Sequence, residues 1–375
     1  MSLYGAHGAH GAHGAHGAHG SGGEGGPSSL LADALAATAE GLTGPWTGAA
    51  DPERPLEAGP GGWDDFIRLD PAVRLIVLQA ETAPLFRVGL AGPRHEVTVE
   101  GVATPLLLLE APSPARLALD LPQVRSAADL RADRLSEIVA QQGDLLSFFG
   151  AQAPLQPERM RWTCLLLLAL YQAVVVPEMR LKLAASLPRP FAMAPQVQPV
   201  IETPTHATWP SGHATEAFAF ATVLALLDLE ARRARRVAAG GAGGPGSTDT
   251  LLGWLGAGPI VGSAARPEDL MPFRLAARIA DNRTVAGLHF PTDSTHGALL
   301  GLALGLAFAA RCGLAGPVPS FQAAPVPQPA AFTLDGWRGA LADWRQPASA
   351  SVAVPQGPAG ALLPRLWQEA LGERL

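Results

Sequence analysis

Apolar residues dominate long stretches of this chain. Outside these stretches, apolar residues recur at helical spacing, which predicts a mainly α-helical protein. Three stretches rich in Ala and Leu carry few charges, as expected of helices that are buried on most sides. The chain has neither a strand–helix–strand alternation nor a Gly-rich dinucleotide loop, so a helical bundle is expected rather than a parallel sheet. The three apolar stretches are residues 162–176, 214–227 and 297–310.

Caps, prolines and glycines mark the ends of the predicted elements. Residues 96–109 alternate polar and apolar positions and predict a small hairpin or an extended arm. Residues 49–62 are rich in Pro and Gly and are expected to be irregular, and residues 203–210 form an extended approach to the next helix. Helices are predicted over 30–42, 126–149, 157–187 with a break near Pro177, 211–236, 272–288, 294–312 and 334–344.

The first 29 residues differ in composition from the rest. A Gly-Ala-His triplet is repeated five times over residues 5–19, and a Gly/Ser-rich stretch follows. This indicates an engineered metal-affinity tag and linker, with a natural metal-binding tract as the alternative. The remainder is long enough for one large core or two domains. We divide it into a mostly helical N-terminal region (30–150), a core (151–315) and a Pro/Ala-rich extension (316–375).

Charge and cysteine content narrow the classes of function. The net charge of −6 argues against a nucleic-acid partner, and the basic run at 232–236 is interpreted as the solvated C-terminus of a helix. Cys164 and Cys312 lie in apolar helices and are expected to be buried thiols. Each apolar stretch is shorter than the ~20 residues that span a bilayer, so a soluble helical core is expected. No secretory signal is evident, but a tag could have replaced one, which leaves the compartment open.

Three short motifs carry groups that together suit a tetrahedral oxyanion. They read K-x6-R-P over 182–190, P-S-G-H over 210–213 and R-x5-H-x3-D over 283–293. The lysine supplies a point charge, and each arginine supplies a planar fork that can hold two oxygens. The Ser-Gly pair opens a helix, where free N–H groups and the helix dipole favour an anion. The motif residues are Lys182, Arg189, Ser211, Gly212, His213, Arg283, His289 and Asp293.

Taken singly, these residues have simpler explanations. Lys182 and Arg189 are seven residues apart and could share one solvated helix face. Ser211 could be a plain N-cap without a ligand. The order and spacing of all three motifs is what favours a single assembled site.

The three motifs resemble the superfamily of type 2 phosphatidic-acid phosphatases, bacterial non-specific acid phosphatases and vanadium-dependent haloperoxidases. The resemblance covers residues 182–293, and every fixed position is filled. It implies a helical bundle of the acid phosphatase/vanadium haloperoxidase type. It also implies that His289 bonds to phosphorus or vanadium and that His213 is the acid/base. Oxyanion contacts would come from Lys182, Arg189, Ser211, Gly212 and Arg283.

Asp293 lies four residues after His289, with Pro291 interrupting the helical spacing between them. An aspartate near this imidazole can accept from one ring nitrogen, which fixes the tautomer and leaves the other nitrogen free to bond. We therefore include Asp293 in the predicted site as a supporting residue.

His206 favours one of the two chemistries that this pocket can host. The segment THATWPSGHA at 205–214 is similar to the approach segment of vanadium bromoperoxidases, in which a His five residues before the Ser is typical. We therefore expect a haloperoxidase with vanadate as cofactor and with hydrogen peroxide and halide, bromide or iodide, as substrates. Its product would be hypohalous acid or a halogenated small organic acceptor. The alternative reading of His206 is a surface-loop residue.

Two other activities stay open. A soluble phosphatase would hydrolyse phosphate monoesters through a phosphohistidine at His289, and phosphate would occupy the vanadate site. A non-catalytic phosphate- or vanadate-binding scaffold is disfavoured, because binding alone needs neither His213 nor His289. Met179 and Trp209 depart from haloperoxidase patterns and leave the halide preference undecided. The Pro/Ala-rich arms and apolar helices are compatible with a homo-oligomer.

Overall fold

A computed structural model describes residues 33–38, 61–91, 94–153, 155–242, 244–256, 267–325, 330–358 and 360–375. The structure is 62% helix and 7% strand, which confirms the mainly α fold class. The predicted tag at 1–29 lies outside the described residues, as does the irregular stretch at 49–62 except for its last two positions. A short helical segment at 33–38 falls within the first predicted helix.

The helices are numbered here in chain order after that short segment. They are α1 (Trp63–Phe66), α2 (Pro71–Thr82), α3 (Pro114–Ala118), α4 (Leu121–Ala127), α5 (Arg131–Gly143), α6 (Leu146–Gly150), α7 (Arg161–Ala185), α8 (Pro190–Met193), α9 (Gly212–Ala238), α10 (Ser247–Gly256), α11 (Met271–Val285), α12 (Pro291–Arg311), α13 (Leu334–Trp344) and α14 (Leu362–Gly372). The strands are β1 (Phe86–Ala91), β2 (Arg94–Val99), β3 (Leu107–Glu110) and β4 (Phe321–Ala323).

Helices α7, α9 and α12 form the centre of the core, and their apolar composition allows burial on nearly every side. Glycines on α12 let its backbone approach α9 closely. A Cβ on Gly297 would lie 2.6 Å from Ser211 O, and one on Gly301 would overlap Thr215 O. One turn further along, a Cβ on Gly305 would lie 2.9 Å from Thr222 Cβ.

This series of contacts fixes the relative direction of the two helices. The contacts advance along both chains together, so α9 and α12 run in the same direction with their N-termini side by side. A backbone hydrogen bond from Ser211 N to Asp293 O (3.0 Å) joins those N-termini. Both sets of free N–H groups and both positive dipole ends therefore lie at one end of the core, where an anion is favoured.

A four-stranded sheet covers one side of the core in the order β1-β2-β3-β4. The hairpin expected within 96–109 is confirmed by the antiparallel pairing of β2 with β3. Strand β4 comes from the C-terminal extension and pairs in parallel with β3, with Leu108 opposite Gln322. The final helix, α14, was not predicted. Glu373, directly after it, accepts hydrogen bonds from the Trp162 and Thr163 amides at the start of α7 (2.8 and 2.9 Å). The proposed domain boundaries stay predictions.

The predicted helix at 126–149 is wrong as a single element. A 3-10 turn at Ala128–Leu130 precedes α5, and the backbone extends at Asp144 before α6 begins. The expected break near Pro177 does not occur, since α7 continues through this residue. Proline removes one helical hydrogen bond, and packing on both sides of this 25-residue helix compensates for the loss. Cys164 and Cys312 are buried free thiols, as predicted.

Within the described residues, one helical stretch, Arg161–Met193, is long and apolar enough to cross a membrane by length and composition. Some 67% of its most apolar window is buried inside the protein. A buried core helix passes the same test, so the expectation of no membrane span stays a prediction.

Candidate active site

The motif residues converge where the N-termini of α9 and α12 meet. His289 lies just before α12, and Ser211, Gly212 and His213 open α9. Arg283 projects from the last turn of α11. All the predicted residues except His206, which is half-buried, are buried. The packing of four helices, α7, α9, α11 and α12, thus brings the three motifs together in one pocket.

The ring of His289 is oriented by an aspartate and a threonine. Nδ1 lies 3.2 Å from Asp293 Oδ2 and 3.2 Å from Thr208 Oγ1. The same carboxylate oxygen accepts from the Thr208 hydroxyl (2.6 Å) and the Phe290 amide (2.9 Å). Pro291 occupies the first position of α12 and does not separate the pair, because His289 precedes the helix and Asp293 lies in its first turn.

The protonation of this pair follows from its surroundings. Burial lowers the pKa of His289 well below its ordinary value, and the charges of Arg189 and Lys182 lower it further. Burial raises the pKa of Asp293 to about 6 against the lowering effect of the Thr208 and Phe290 hydrogen bonds. At neutral pH the pair is therefore a neutral imidazole that donates from Nδ1–H to a carboxylate. Its Nε2 keeps a lone pair for a ligand.

Nε2 of His213 can exchange a proton without losing a partner. It lies 3.0 Å from the Gln141 carbonyl oxygen and 3.4 Å from Arg283 Nη1. With a proton, Nε2 donates to the carbonyl; without one, it can accept from the guanidinium. Both protonation states have a hydrogen-bond partner in place, which is the property required of an acid/base group.

Arg283 is held by a residue that the sequence reasoning missed. Its Nη2 donates to Gln141 Oε1 (2.8 Å) and to the Ile138 carbonyl oxygen (3.3 Å). Gln141 Oε1 also accepts from Asn282 Nδ2 (3.1 Å), so two donors fix the orientation of the Gln141 amide. Burial lowers the pKa of Arg283 to about 10, which leaves it charged at neutral pH.

Arg189 joins the two imidazoles of the pocket. Nη1 lies 3.5 Å from His289 Nε2 and donates to the Leu288 carbonyl oxygen (3.1 Å). Nη2 lies 3.2 Å from His206 Nδ1, and Nε donates to the His206 carbonyl oxygen (3.0 Å). His206 Nδ1 also lies 3.2 Å from the Ala207 carbonyl oxygen, so the tautomer of His206 sets which of the two contacts is a hydrogen bond. His206 is therefore oriented toward the site rather than to bulk solvent.

Lys182 lies below the loop that leads into α9. Its ammonium group donates to the carbonyl oxygens of Pro210, Thr208 (3.3 Å) and Ala207 (3.5 Å). Glu178 Oε1, one helical turn earlier, is 3.9 Å from Lys182 Nζ. Burial lowers the pKa of Lys182 to about 8, against the raising effect of the Glu178 carboxylate. The lysine thus fixes the approach loop and provides positive charge beside the pocket.

A clamp outside the motifs holds the loop that carries His289. Arg131 on α5 donates from Nε to the Val285 carbonyl oxygen (2.9 Å). Its two Nη atoms donate to the carbonyl oxygens of Gln198 and Val197 (3.0 Å each). One guanidinium thereby ties the turn before His289 to the turn that follows Arg189.

Three buried donors in this pocket have no hydrogen-bond partner among the described residues: Ser211 Oγ, Arg283 Nε and Gln141 Nε2. A buried donor without a partner costs free energy, so three in one pocket indicate a ligand that accepts hydrogen bonds. Over the described ranges, no group of three or more His, Cys, Asp or Glu is placed to hold a metal cation. The donors therefore fit an oxyanion, whether phosphate or vanadate.

Besides Arg131, the site residues Gln141, Thr208 and Glu178 were not predicted from the sequence. Thr208 lies three residues before Ser211 and Glu178 four before Lys182, so proximity to the motifs could have singled them out. Gln141 is about forty residues before the first motif, and only the packing of α5 against α11 brings it in.

Comparison with known families agrees with this arrangement. Residues 162–312 match the model of the PAP2 superfamily, a span that contains all three motifs. No curated protein matches the chain significantly. Residues 162–312 are thus similar to a PAP2 superfamily domain, and members of this superfamily are typically enzymes that include phosphatases and haloperoxidases.

Proposed function

We propose that this protein is a vanadium-dependent haloperoxidase that oxidises bromide or iodide with hydrogen peroxide. The position of His206 carries the proposal: its Nδ1 is 3.2 Å from the guanidinium of Arg189, whose other Nη is 3.5 Å from His289 Nε2. Phosphoester hydrolysis needs one nucleophilic and one acid imidazole, both of which are present without His206. A third imidazole in the pocket supports the peroxidase.

The residues that would hold vanadate are those suited to any tetrahedral oxyanion. His289 Nε2 would bond to vanadium, and Ser211 Oγ, the Gly212 amide, Arg189 and Arg283 would donate to the oxygens. Vanadate, when bound, supplies a Lewis acid that activates hydrogen peroxide toward a halide without a change of its own redox state.

The remaining work is proton transfer, and the geometry supports His213 in that role. Hydrogen peroxide must lose protons as it reacts, and Nε2 of His213 can accept or release one because both its states are satisfied. Asp293 and Thr208 keep the proton of His289 on Nδ1, which prevents it from blocking the bonding nitrogen.

Hydrolysis of phosphate monoesters is the second candidate, and the unprotonated Nε2 of His289 favours it. This nitrogen would form a bond to phosphorus while the ester P–O bond breaks, and His213 would give a proton to the leaving oxygen. Water would then hydrolyse the phosphohistidine and release phosphate.

A paired assay on one purified preparation, first stripped of bound oxyanions, separates the two functions. One half receives orthovanadate, hydrogen peroxide, bromide and a halogen acceptor; the other receives a chromogenic phosphate ester without vanadate. Vanadate-dependent bromination that inorganic phosphate suppresses is the expected result. Ester hydrolysis that vanadate inhibits, with negligible bromination, would reject the haloperoxidase in favour of the phosphatase. His289→Ala is the control and should lack both activities.

A further inference from the structure

A second carboxyl group, besides that of Asp293, lies at the edge of this anion pocket, and neither proposed reaction requires it. Glu178 on α7 is 1% exposed. Its Oε1 is 2.5 Å from the position that a Cβ on Gly212 would occupy, so the carboxyl group packs directly against the first residue of α9. Its Oε2 is buried and has no hydrogen-bond partner among the residues that the structure describes. A negative group thus faces the helix end that should bind an anion.

The charges around Glu178 come from several elements. Lys182, one turn later on the same helix, has its Nζ 3.9 Å from Glu178 Oε1 and is the nearest cation. Glu216 lies one turn into α9, beyond Gly212, and is also buried. The charged and titratable groups that act on Glu178 and its two neighbours are Tyr171 on α7, Arg189 before α8, Arg283 on α11 and Asp293 on α12.

Burial makes both glutamates harder to ionise than an exposed glutamate. Burial raises the pKa of Glu178 to about 7, against the lowering effect of Lys182 and Arg189. Burial raises the pKa of Glu216 well above its ordinary value, and the Glu178 charge raises it further. Near neutral pH Glu178 is therefore poised between its two forms, and Glu216 favours its protonated form more than an ordinary glutamate does.

An oxyanion that enters the pocket places new negative charge beside this carboxylate. Two negative charges at close range in a buried site repel each other, which raises the pKa of Glu178 further and favours its protonated form. The positive charge of Lys182, which the carboxylate otherwise balances, then becomes available to the oxyanion.

We propose that Glu178 takes up one proton when an oxyanion binds, so that the counter-ion of Lys182 becomes a neutral carboxylic acid that can donate to the ligand. The proton comes from solvent. The inference rests on the oxyanion site that both proposed functions share, and it does not depend on which of them operates. Because a proton is taken up, the affinity for the oxyanion falls as the pH rises above 7.

Inorganic phosphate is the probe for the test. Difference infrared spectra of the full chain, with and without phosphate near pH 8, should gain the C=O stretch of a protonated carboxyl group, and the band should shift in D2O. Calorimetry in buffers of different ionisation enthalpy should show uptake of about one proton per phosphate bound. Because calorimetry alone cannot separate Glu178 from Lys182, the infrared band decides the assignment.

Glu178→Gln should bind phosphate without the new band. The matched control, Glu216→Gln, removes the neighbouring carboxyl group and should keep it. If Glu178→Gln does not fold, Glu178→Asp should keep a band at a shifted frequency. Phosphate binding to the wild type without a carboxylic acid band, or a band that persists in Glu178→Gln, would overturn the inference. Absence of phosphate binding to the wild type would reject the oxyanion site itself, which is a separate failure.

Discussion

Ser211→Ala should change stability and oxyanion binding in opposite directions. Ser211 is fully buried and stands at the N-cap position of α9, yet its side chain makes no capping hydrogen bond there. Its Oγ has no partner elsewhere in the described part of the chain. The hydroxyl is therefore unsatisfied in the protein alone and, in our interpretation, donates to the bound oxyanion.

The structure sets the size of both effects. A buried hydroxyl without a partner costs ~1–3 kcal/mol, so its removal, less the loss of packing by one atom, should stabilise the fold by about 1 kcal/mol. That gain raises Tm by roughly 2 °C in a chain of this length. A hydrogen bond to a charged ligand contributes about 1.5–3 kcal/mol, so phosphate affinity should fall by roughly 10- to 150-fold.

Scanning calorimetry and titration with inorganic phosphate measure the two quantities on the same samples. Ser294→Ala is the matched control, since that buried hydroxyl on α12 donates to the Ala280 carbonyl oxygen (3.2 Å). It should lose some stability and keep its phosphate affinity. A Ser211→Ala protein that is less stable and binds phosphate normally would show that Ser211 is an N-cap and does not donate to the oxyanion.

Three further predictions concern pH, the halide and the core. Activity should fall as the pH drops through about 6, because protonation of Asp293 removes the carboxylate that orients the His289 imidazole. Asp293→Asn should be less active at every pH and should lose this acidic limb of the pH–rate profile. If the variant keeps the acidic limb, Asp293 is not the group that titrates. Because folding raises the pKa of Asp293, protonated Asp293 contributes fully to the free energy of unfolding below pH 3.8, and this contribution is lost as the pH rises through about 6. Denaturant titrations at several pH values measure this loss. His206→Phe should alter the bromide-to-iodide rate ratio or the pH optimum in steady-state assays, while its phosphate affinity stays within a few-fold of the wild-type value. If neither the rate ratio nor the pH optimum changes, His206 has no role in the reaction. Gly301→Ala should destabilise the fold by about 1–3 kcal/mol or more, because its Cβ would overlap the Thr215 carbonyl oxygen. Gly253→Ala is the control: Gly253 is exposed on α10 and a Cβ there meets nothing within 4 Å, so this variant should be neutral or stabilising in thermal unfolding.

Much of the helical core could be predicted, because its apolar stretches are long and nearly free of polar interruptions. Helix α9 begins one residue after the predicted Ser211 and α13 matches its predicted bounds, since both carry a cap residue before an apolar pattern. The error at 126–149 has a local cause: apolar spacing continues across a 3-10 turn and an extended Asp144, where backbone geometry changes without a change of pattern. Strand β4 is three residues long and has no periodic signal of its own.

For the site, too, some properties follow from the sequence and others only from the tertiary structure. By itself the sequence determined which groups are present and in what order, because the chemistry of oxyanion binding restricts the residue types and the motifs keep their spacing. It did not place Gln141 on Arg283 or Glu178 against Gly212, and it left the protonation of His289 open. Those properties depend on burial and on distances between elements far apart in the chain, such as the glycine-mediated approach of α12 to α9. Desolvation and Coulomb interactions, which set the charge of each group, exist only once that packing has formed.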